Sequence, residues 1–569
     1  MDIRQRQISD ALKHIDKLHP VIKRIYSSRG ISSLDDCLLN LSSLHRPEEM
    51  NNMELACDLL EAALYKQNSI LIVGDFDADG ATSSALAMLS MKAMGFAHVD
   101  FLVPNRFEFG YGLTPEIVQV ALQRKPDLII TVDNGIASME GVALAKSNGV
   151  KVLVTDHHLP GSELPEADCL LNPNLSDCTF PSKSLAGVGV VFYLMLALRS
   201  RLRDVGWFAS EGIVEPNLGD YLDIVALGTV ADVVPLDKNN RCLVKNGLQK
   251  IVSGRGRPGI RALLEVAGRD LSSLSASDLG FAVGPRLNAA GRLDDMSLGI
   301  ECLLCDDENK AKQLAYQLDE MNKDRRNIEQ NMQANALEAL ELLSINDEGR
   351  AGLCLYDASW HQGVIGILAS RLKEKFHKPT IIFADAGDGT IKGSARSISG
   401  LHMRDLLDLI SKQKPKVLQK FGGHAMAAGL SLRLDDFEEF CGLYYSTLEE
   451  LVDEETLTRV HYTDGVLESE YLSLEFAQLL RESGPWGQHF PEPVFEGQFR
   501  VQQQKIVGSK HLKLVLELPA SNMSIDAIAF NQAEEVLQKQ HQEIRVLYRL
   551  DVNSFRGRQT PQLMIENLL

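Results

Sequence analysis

The chain has 569 residues, 45% apolar and 24% charged, with a formal net charge of −19. That length exceeds what one core supports and predicts about three or four domains, and the balanced composition excludes a long disordered tract. The acidic balance argues against indiscriminate binding to polyanions, so any nucleic-acid substrate would need a localised basic channel.

The N-terminal stretch "MDIRQRQISDALKHIDKLHP" contains nothing resembling a secretion signal. The longest apolar run, Leu185 to Leu198, is shorter than the roughly 20 residues needed to cross a bilayer. A soluble, cytoplasmic protein with no membrane partner is expected. The nine cysteines are scattered singly, apart from Cys302 and Cys305. A zinc ribbon would need a second such pair, so these two read as small apolar residues on one helix face. The odd, unpaired count fits a reducing compartment.

Residues 1–68 read as an N-terminal helical segment. From Ser69 the pattern alternates: "SILIVGD" is a strand, "ATSSALAMLSMKAMG" a helix, "HVDFLVP" a strand, Thr114 to Arg124 a helix. "DLIITVD", a helix to Asn148 and "VKVLVTD" continue the series, and "YLDIVALGTVADVV" is a further helix. Continuous apolar strands separated by amphipathic helices predict a doubly wound parallel sheet over 69–240. Residues 241–345 form a helical connector ending in a long helix from Asn309 to Leu343, whose apolar face is marked by Leu314, Leu318, Met321, Ile328, Met332, Leu337 and Leu340. A second, smaller α/β unit occupies 346–455. Residues 456–569 carry short β-rich segments with the rhythm of an OB-like β-barrel.

Asp75, Asp77 and Asp79 crowd the end of the first strand in "GDFDADG". An EF-hand would need a carboxylate where Leu86 stands and a helix where this strand stands, and a dinucleotide loop would not aim carboxylates at a pyrophosphate. Asp133 ends a second strand in "VDNG", and Asp156, His157 and His158 end another in "TDHH". Parallel strands deliver their C-terminal ends to one edge, so these groups can converge, and Asp232 adds a carboxylate in the apolar "GTVADVVPL". Oxygen ligands with one imidazole suit Mn²⁺ or Mg²⁺, and this many carboxylates suit two ions sharing an aspartate. A purely structural reading, in which Asp79 or Asp133 caps a helix, serves single residues but not the whole set.

In this order "GDFDADG", "VDNG", "TDHH" and "GTVADVVPL" resemble the four motifs of the DHH phosphoesterases, and "GSARS" and "FGGHAMAAG" resemble those of the accompanying DHHA1 domain. With "GPRLNAAGRLDD", "WHQGVIGILASRL" and the β-rich tail, the resemblance covers nearly the whole chain. It points to the branch of that superfamily that digests single-stranded DNA from the 5′ end to 5′-mononucleotides in repair and recombination. The implied fold is α/β: a DHH domain with a doubly wound parallel sheet, a long connecting helix, a smaller DHHA1 domain and a C-terminal OB-like barrel.

The resemblance implies that Asp77 and Asp133 hold one cation and that Asp79, Asp133, His157 and Asp232 hold the other. Some members carry a histidine where Val73 stands, so Asp75 is a candidate substitute, directly or through water. His158 would touch the scissile phosphate, with Asp156 orienting the imidazoles. Arg106 would meet a 5′-terminal phosphate and Tyr111 would stack on a base. Arg286, Asn288, Arg371, Ser394 and Arg396 would line the DNA channel. Gly422, Gly423 and His424, read as the start of a helix, would bind phosphate. Expected partners are single-stranded DNA, a single-strand-binding protein and a helicase, with the chain itself a monomer. The alternatives are a phosphodiesterase of short oligonucleotides or cyclic dinucleotides, or a catalytically inactive DNA-binding scaffold. A nucleotide-driven motor is disfavoured, since the sequence has no G-x-x-x-x-G-K-[ST] loop.

Overall fold

The computed structural model describes residues 2–104, 109, 112–343, 350–508, 510–518, 523–532, 543–555 and 557–569. The chain forms two compact units, one of Gln5–Asp319 with Tyr462–Leu569 and one of Met1–Arg4 with Glu320–His461.

The larger unit is built on a five-stranded sheet. Its strands are β1 (Ile70–Gly74), β2 (Val99–Leu102), β3 (Leu128–Val132), β4 (Lys151–Thr155) and β5 (Cys169–Leu171). They lie in the order β2-β1-β3-β4-β5 and every pairing is parallel. β1 and β3 are buried along their whole length, which explains why they read as unbroken apolar runs. Gly74 pairs with Val132 and Val132 with Thr155, so the chain leaves β1, β3 and β4 at one level of one edge.

Helices cover both faces. On one, α2 (Pro115–Gln123) and α3 (Met139–Ser147) bury Ile117, Val118 and Val142 against Leu71, Val73, Ile129 and Val154. Each such side chain contributes roughly 1.5–3 kcal/mol on leaving water. On the other, α1 (Ala78–Ala93) packs between α4 (Gly187–Asp204) and α5 (Leu222–Ala231). The exposed-face polarity of an ordinary helix is missing from α1, because small Ala, Ser and Thr residues let it be enclosed nearly all round. At one crossing a Cβ on Gly228 would fall 2.2 Å from Thr82 Oγ1. The connector adds α6 (Gly284–Leu293), which packs on α1, and then α7 (Glu308–Leu343), within one residue of the span predicted from periodicity. Leu314, Leu318 and Met332 are buried on α7.

The smaller unit has a five-stranded sheet of β6 (Leu353–Tyr356), β7 (Thr380–Asp385), β8 (Thr390–Arg396), β9 (Lys420–Gly423) and β10 (Ala427–Arg433). Their order is β9-β10-β8-β7-β6, and only β6 and β7 pair in parallel. Helices α8 (Ile365–Phe376), α9 (Met403–Gln413) and α10 (Phe437–Leu451) cover it. "FGGH" therefore departs from expectation. It is not a helix start but the end of β9 and the turn into β10, closed by the His424 N–H donating to Ala427 O at 2.8 Å. Paired glycines suit a tight hairpin as well as a helix entry, and here strand pairing decides.

The C-terminal segment returns to the larger unit as a closed barrel of β11 (Phe495–Val507), β12 (His511–Glu517), β13 (Ser524–Ala529), β14 (Glu543–Phe555) and β15 (Arg558–Leu568). Upstream of it, Arg29 and Asp464 form an ion pair at 2.7 Å with both side chains 1% exposed, tying the N-terminal segment to the approach to the barrel. Among the described residues no helix is long and apolar enough to cross a membrane.

Candidate metal centre

The loop from β1 to α1 is folded back by its own carboxylates. Asp77 caps α1, its Oδ1 accepting the N–H groups of Asp79 at 2.9 Å and Gly80 at 3.0 Å. Gly80 is required, since a Cβ there would lie 2.4 Å from the Asp75 carbonyl oxygen. Asp79 is buried and accepts the Gly187 and Val188 N–H groups at 2.6 and 2.9 Å. It thus sits on the positive end of α4.

Asp133 follows β3 with φ 63°, a left-handed conformation that costs a non-glycine residue about 1 kcal/mol or more. The first turn of α4 presses on it: a Cβ on Gly187 would come within 2.7 Å of Asp133 Cβ. Asp232 ends α5, and the next residue, Val233, is also left-handed at φ 61° while 61% exposed. Backbone strain is therefore present at one member of the acidic set and directly after another.

At the end of β4 the buried Asp156 carboxylate accepts the N–H groups of His157, His158 and Ile136 and bonds the His158 ring at 2.8 Å. Burial alone would raise its pKa, but the bonds and charge of His158 hold it below the usual carboxylate value. His158 is shifted the other way. Burial would lower it, but the bond and charge of Asp156, with Asp75 and Asp77 beyond, raise it. Asn174 donates to the His157 carbonyl and Asn172 to that of His158, fixing the backbone of both.

These loops converge. His157 Nε2 lies 3.1 Å from Asp133 Oδ1, 3.5 Å from Asp232 Oδ2 and 3.9 Å from Asp79 Oδ2. A second set, Asp75, Asp77 and Asp133, brings its ligand atoms within 4.8 Å of one another, with Asp133 common to both. Val73 is buried in β1 and takes no part, and Asp75 stands in the group instead. Burial followed by repulsion from Asp77 pushes Asp79 up to about 7. Asp133 and Asp232 are raised well above the ordinary value by burial and then by neighbouring carboxylates. Asp232 Oδ2 is buried without accepting a hydrogen bond. Carboxylates this crowded, with one imidazole among them, fit divalent cations that take oxygen and nitrogen ligands.

Over 571 residues the chain is 52% identical to the single-stranded-DNA-specific exonuclease RecJ of Escherichia coli strain K12, covering 100% of this chain and 99% of that protein. The chain belongs to the RecJ family. The RecJ of Haemophilus influenzae is 49% identical over 552 residues, 96% of each chain. Family models match in three places: the DHH family N-terminal domain at 69–229, the DHHA1 domain at 349–450 and the RecJ OB domain at 463–567. Among solved structures, RecJ of Thermus thermophilus in complex with Mn²⁺ matches with a TM-score of 0.80 at 28% identity, covering 100% of this chain and 79% of that one.

The other residues singled out in this RecJ-family sequence are distributed less uniformly. In the smaller unit, Arg396 Nη1 donates to Ser394 Oγ at 3.0 Å and to Ala395 O at 2.8 Å. Its guanidinium lies over the first turn of α8, where a Cβ on Gly366 would fall 2.9 Å from Nη2. Burial lowers its pKa, and among the described residues no carboxylate forms an ion pair with it. Arg371 is instead bound to Glu329 at 2.8 Å, and Glu329 also holds Arg325 at 2.7 Å. Arg286 is buried, paired with Asp319 at 2.7 Å and bonded to Ala282 O. Asn288 faces the acidic loop, accepting the Ala78 N–H. Arg106 and Tyr111 lie outside the described residues. The sequence reading passed over Asn172 and Asn174. Their only signal was two amides in "LNPN", Asn172 standing 14 positions beyond His158.

Proposed function

We propose that this chain is a metal-dependent exonuclease that degrades single-stranded DNA from the 5′ end to 5′-mononucleotides. The carrying observation is the convergence of three carboxylates about His157 Nε2, with a second set joined to it through Asp133. Asp79, Asp133, His157 and Asp232 would hold one Mn²⁺ or Mg²⁺, and Asp75, Asp77 and Asp133 the other. Bound there, the two ions supply charge stabilisation at a phosphoryl group and an activated water.

The chain's own residues prepare the rest. The Asp156–His158 bond favours a protonated ring, so His158 offers a charged donor to a phosphate oxygen. Asp156, Asn172 and Asn174 keep both imidazoles oriented. In the smaller unit, a half-buried guanidinium over a helix N-terminus repels that positive helix end, and an anion would relieve both charges. Arg396 with Ser394 is therefore assigned to the phosphate backbone of the strand, helped by Gly422, Gly423 and His424 at the hairpin. Arg106 and Tyr111 are assigned to the 5′ terminus by resemblance. The barrel provides a surface of the kind that tracks single strands.

The same resemblance supports a cytoplasmic monomer working in repair with a helicase and a single-strand-binding protein. The deciding experiment digests 5′-labelled and 3′-labelled single strands beside a blunt duplex, with Mn²⁺, Mg²⁺ or chelator. Release of the 5′ label as mononucleotide, dependent on metal and absent on duplex, is expected. Turnover of di- or oligonucleotides alone would favour the small-substrate phosphodiesterase, and binding without cleavage the scaffold.

A further inference from the structure

The first turn of a helix leaves amide hydrogens with no acceptor inside the helix. In α1, Asp77 Oδ1 takes two of them, from Asp79 and Gly80. The N–H of Ala78 needs another partner, because Ala78 is 1% exposed and has no access to water. That partner is Asn288 Oδ1 at 2.8 Å, on α6 and 210 positions along the chain.

A second contact from α6 reaches the same loop. A Cβ on Gly291, three residues after Asn288, would fall 1.8 Å from the Phe76 carbonyl oxygen. Only a glycine lets the helix lie this close. α6 therefore grips Phe76 and Ala78, the two residues that alternate with Asp75, Asp77 and Asp79. Any slip of that backbone moves all three carboxylates together.

We propose that Asn288 is a positioning residue, which holds Asp75, Asp77 and Asp79 in cation-binding geometry by accepting the Ala78 N–H. This rests on the reading of the site as a two-cation centre. Residues that orient ligands without touching the ion typically govern about 10- to 100-fold in metal affinity. Asn288 thus acts through the loop, and its loss weakens ion binding before any strand is present.

The test titrates the full, chelator-stripped chain with Mn²⁺ by calorimetry and by the paramagnetic resonance of free Mn²⁺. Single-strand binding is measured separately in chelator. Asn288→Ala is expected to weaken Mn²⁺ binding by about 10- to 100-fold, a larger factor than any change in single-strand binding measured in chelator. Asn288→Asp, whose carboxylate still accepts the Ala78 N–H, is expected to keep the parent's Mn²⁺ affinity. If Asn288→Ala does not fold, Asn288→Thr, which ends short of Ala78, carries the same expectation. Unchanged Mn²⁺ affinity in a folded Asn288→Ala chain, or a fall confined to single-strand binding, overturns the assignment. A parent chain that binds no Mn²⁺ overturns the two-cation reading itself, and is told apart by the parent titration alone.

Discussion

Stripping the cations and raising the pH turns the acidic cluster against the fold. With no ion present, Asp79 titrates near 7 in place of its ordinary 3.8 because it is buried beside Asp77. A carboxyl whose folded pKa lies above its unfolded one binds its proton more tightly in the fold. Its contribution is complete below about pH 4 and is lost as the pH rises through the folded value. For Asp79 alone that loss is on the order of 4 kcal/mol, and Asp133 and Asp232 add to it in the same direction. About 3 kcal/mol of the Asp79 loss falls between pH 5 and pH 8, and a unit of roughly 420 residues unfolds with an entropy near 0.9 kcal/mol/K, so Tm should fall by about 3 °C or more over that range. Calorimetry of the chelated chain at four pH values measures this. Asp79→Asn serves as the control, since the formal net charge of −19 also favours unfolding at high pH. The variant should lose visibly less Tm over the range. Saturating Mn²⁺ should restore about 3 °C at pH 8 and little at pH 5, where protons compete for the ligands. Equal losses in parent and variant, or a parent Tm that rises with pH, would refute the reasoning.

Asp133→Asn removes the carboxylate common to both ligand sets, and should cut metal-dependent cleavage by more than about 100-fold with an unchanged circular dichroism spectrum. Near-parental activity would sink the shared-ligand reading. Arg396→Ala should raise KM for single strands by about 10- to 100-fold, the worth of a charge-assisted bond, with kcat nearly constant. A fall in kcat at constant KM would place Arg396 in the chemical step instead. Asp464→Asn leaves the buried Arg29 without its counter-charge and should cost about 3–5 kcal/mol in urea unfolding, and Arg29→Met in the same chain should recover much of it. A double variant no more stable than the single one would argue that the pair is worth keeping for its own sake.

The sheet was legible because buried parallel strands leave an unmistakable trace: "LIITV" and "VLVT" have no polar face, and each is followed at once by an acid or histidine. Placing those ends on one edge needs only parallel pairing, which is why Asp75, Asp77, Asp79, Asp133 and His157 group from the sequence, whereas Asp232, at the end of a helix, joins them only through the family resemblance. α7 was legible for a similar reason, since its periodicity is uninterrupted by Gly or Pro. Arginines were harder. Nothing local in the sequence says that Arg286 pairs with Asp319, 33 positions away, or that Arg371 meets Glu329 at 42, whereas Arg396 pairs with no described carboxylate. An arginine bound to an acid and one awaiting a phosphate look identical in one dimension. The partner of Asn288 was hidden likewise, because it is a backbone N–H, which has no residue identity to read.

The parallel sheet also has a temporal consequence. Strands of one hairpin could have delivered a few ligands early, but here Asp79 and Asp232 stand at opposite ends of a stretch that must be wholly synthesised and folded before they meet. α6 lies later still, and the Ala78 N–H waits for it. A nascent chain that stops short of Asp232 therefore lacks the full ligand set, and one that stops short of α6 lacks the partner of the Ala78 N–H. Whatever depends on the cations is thus withheld until the chain has been made through α6, by topology alone.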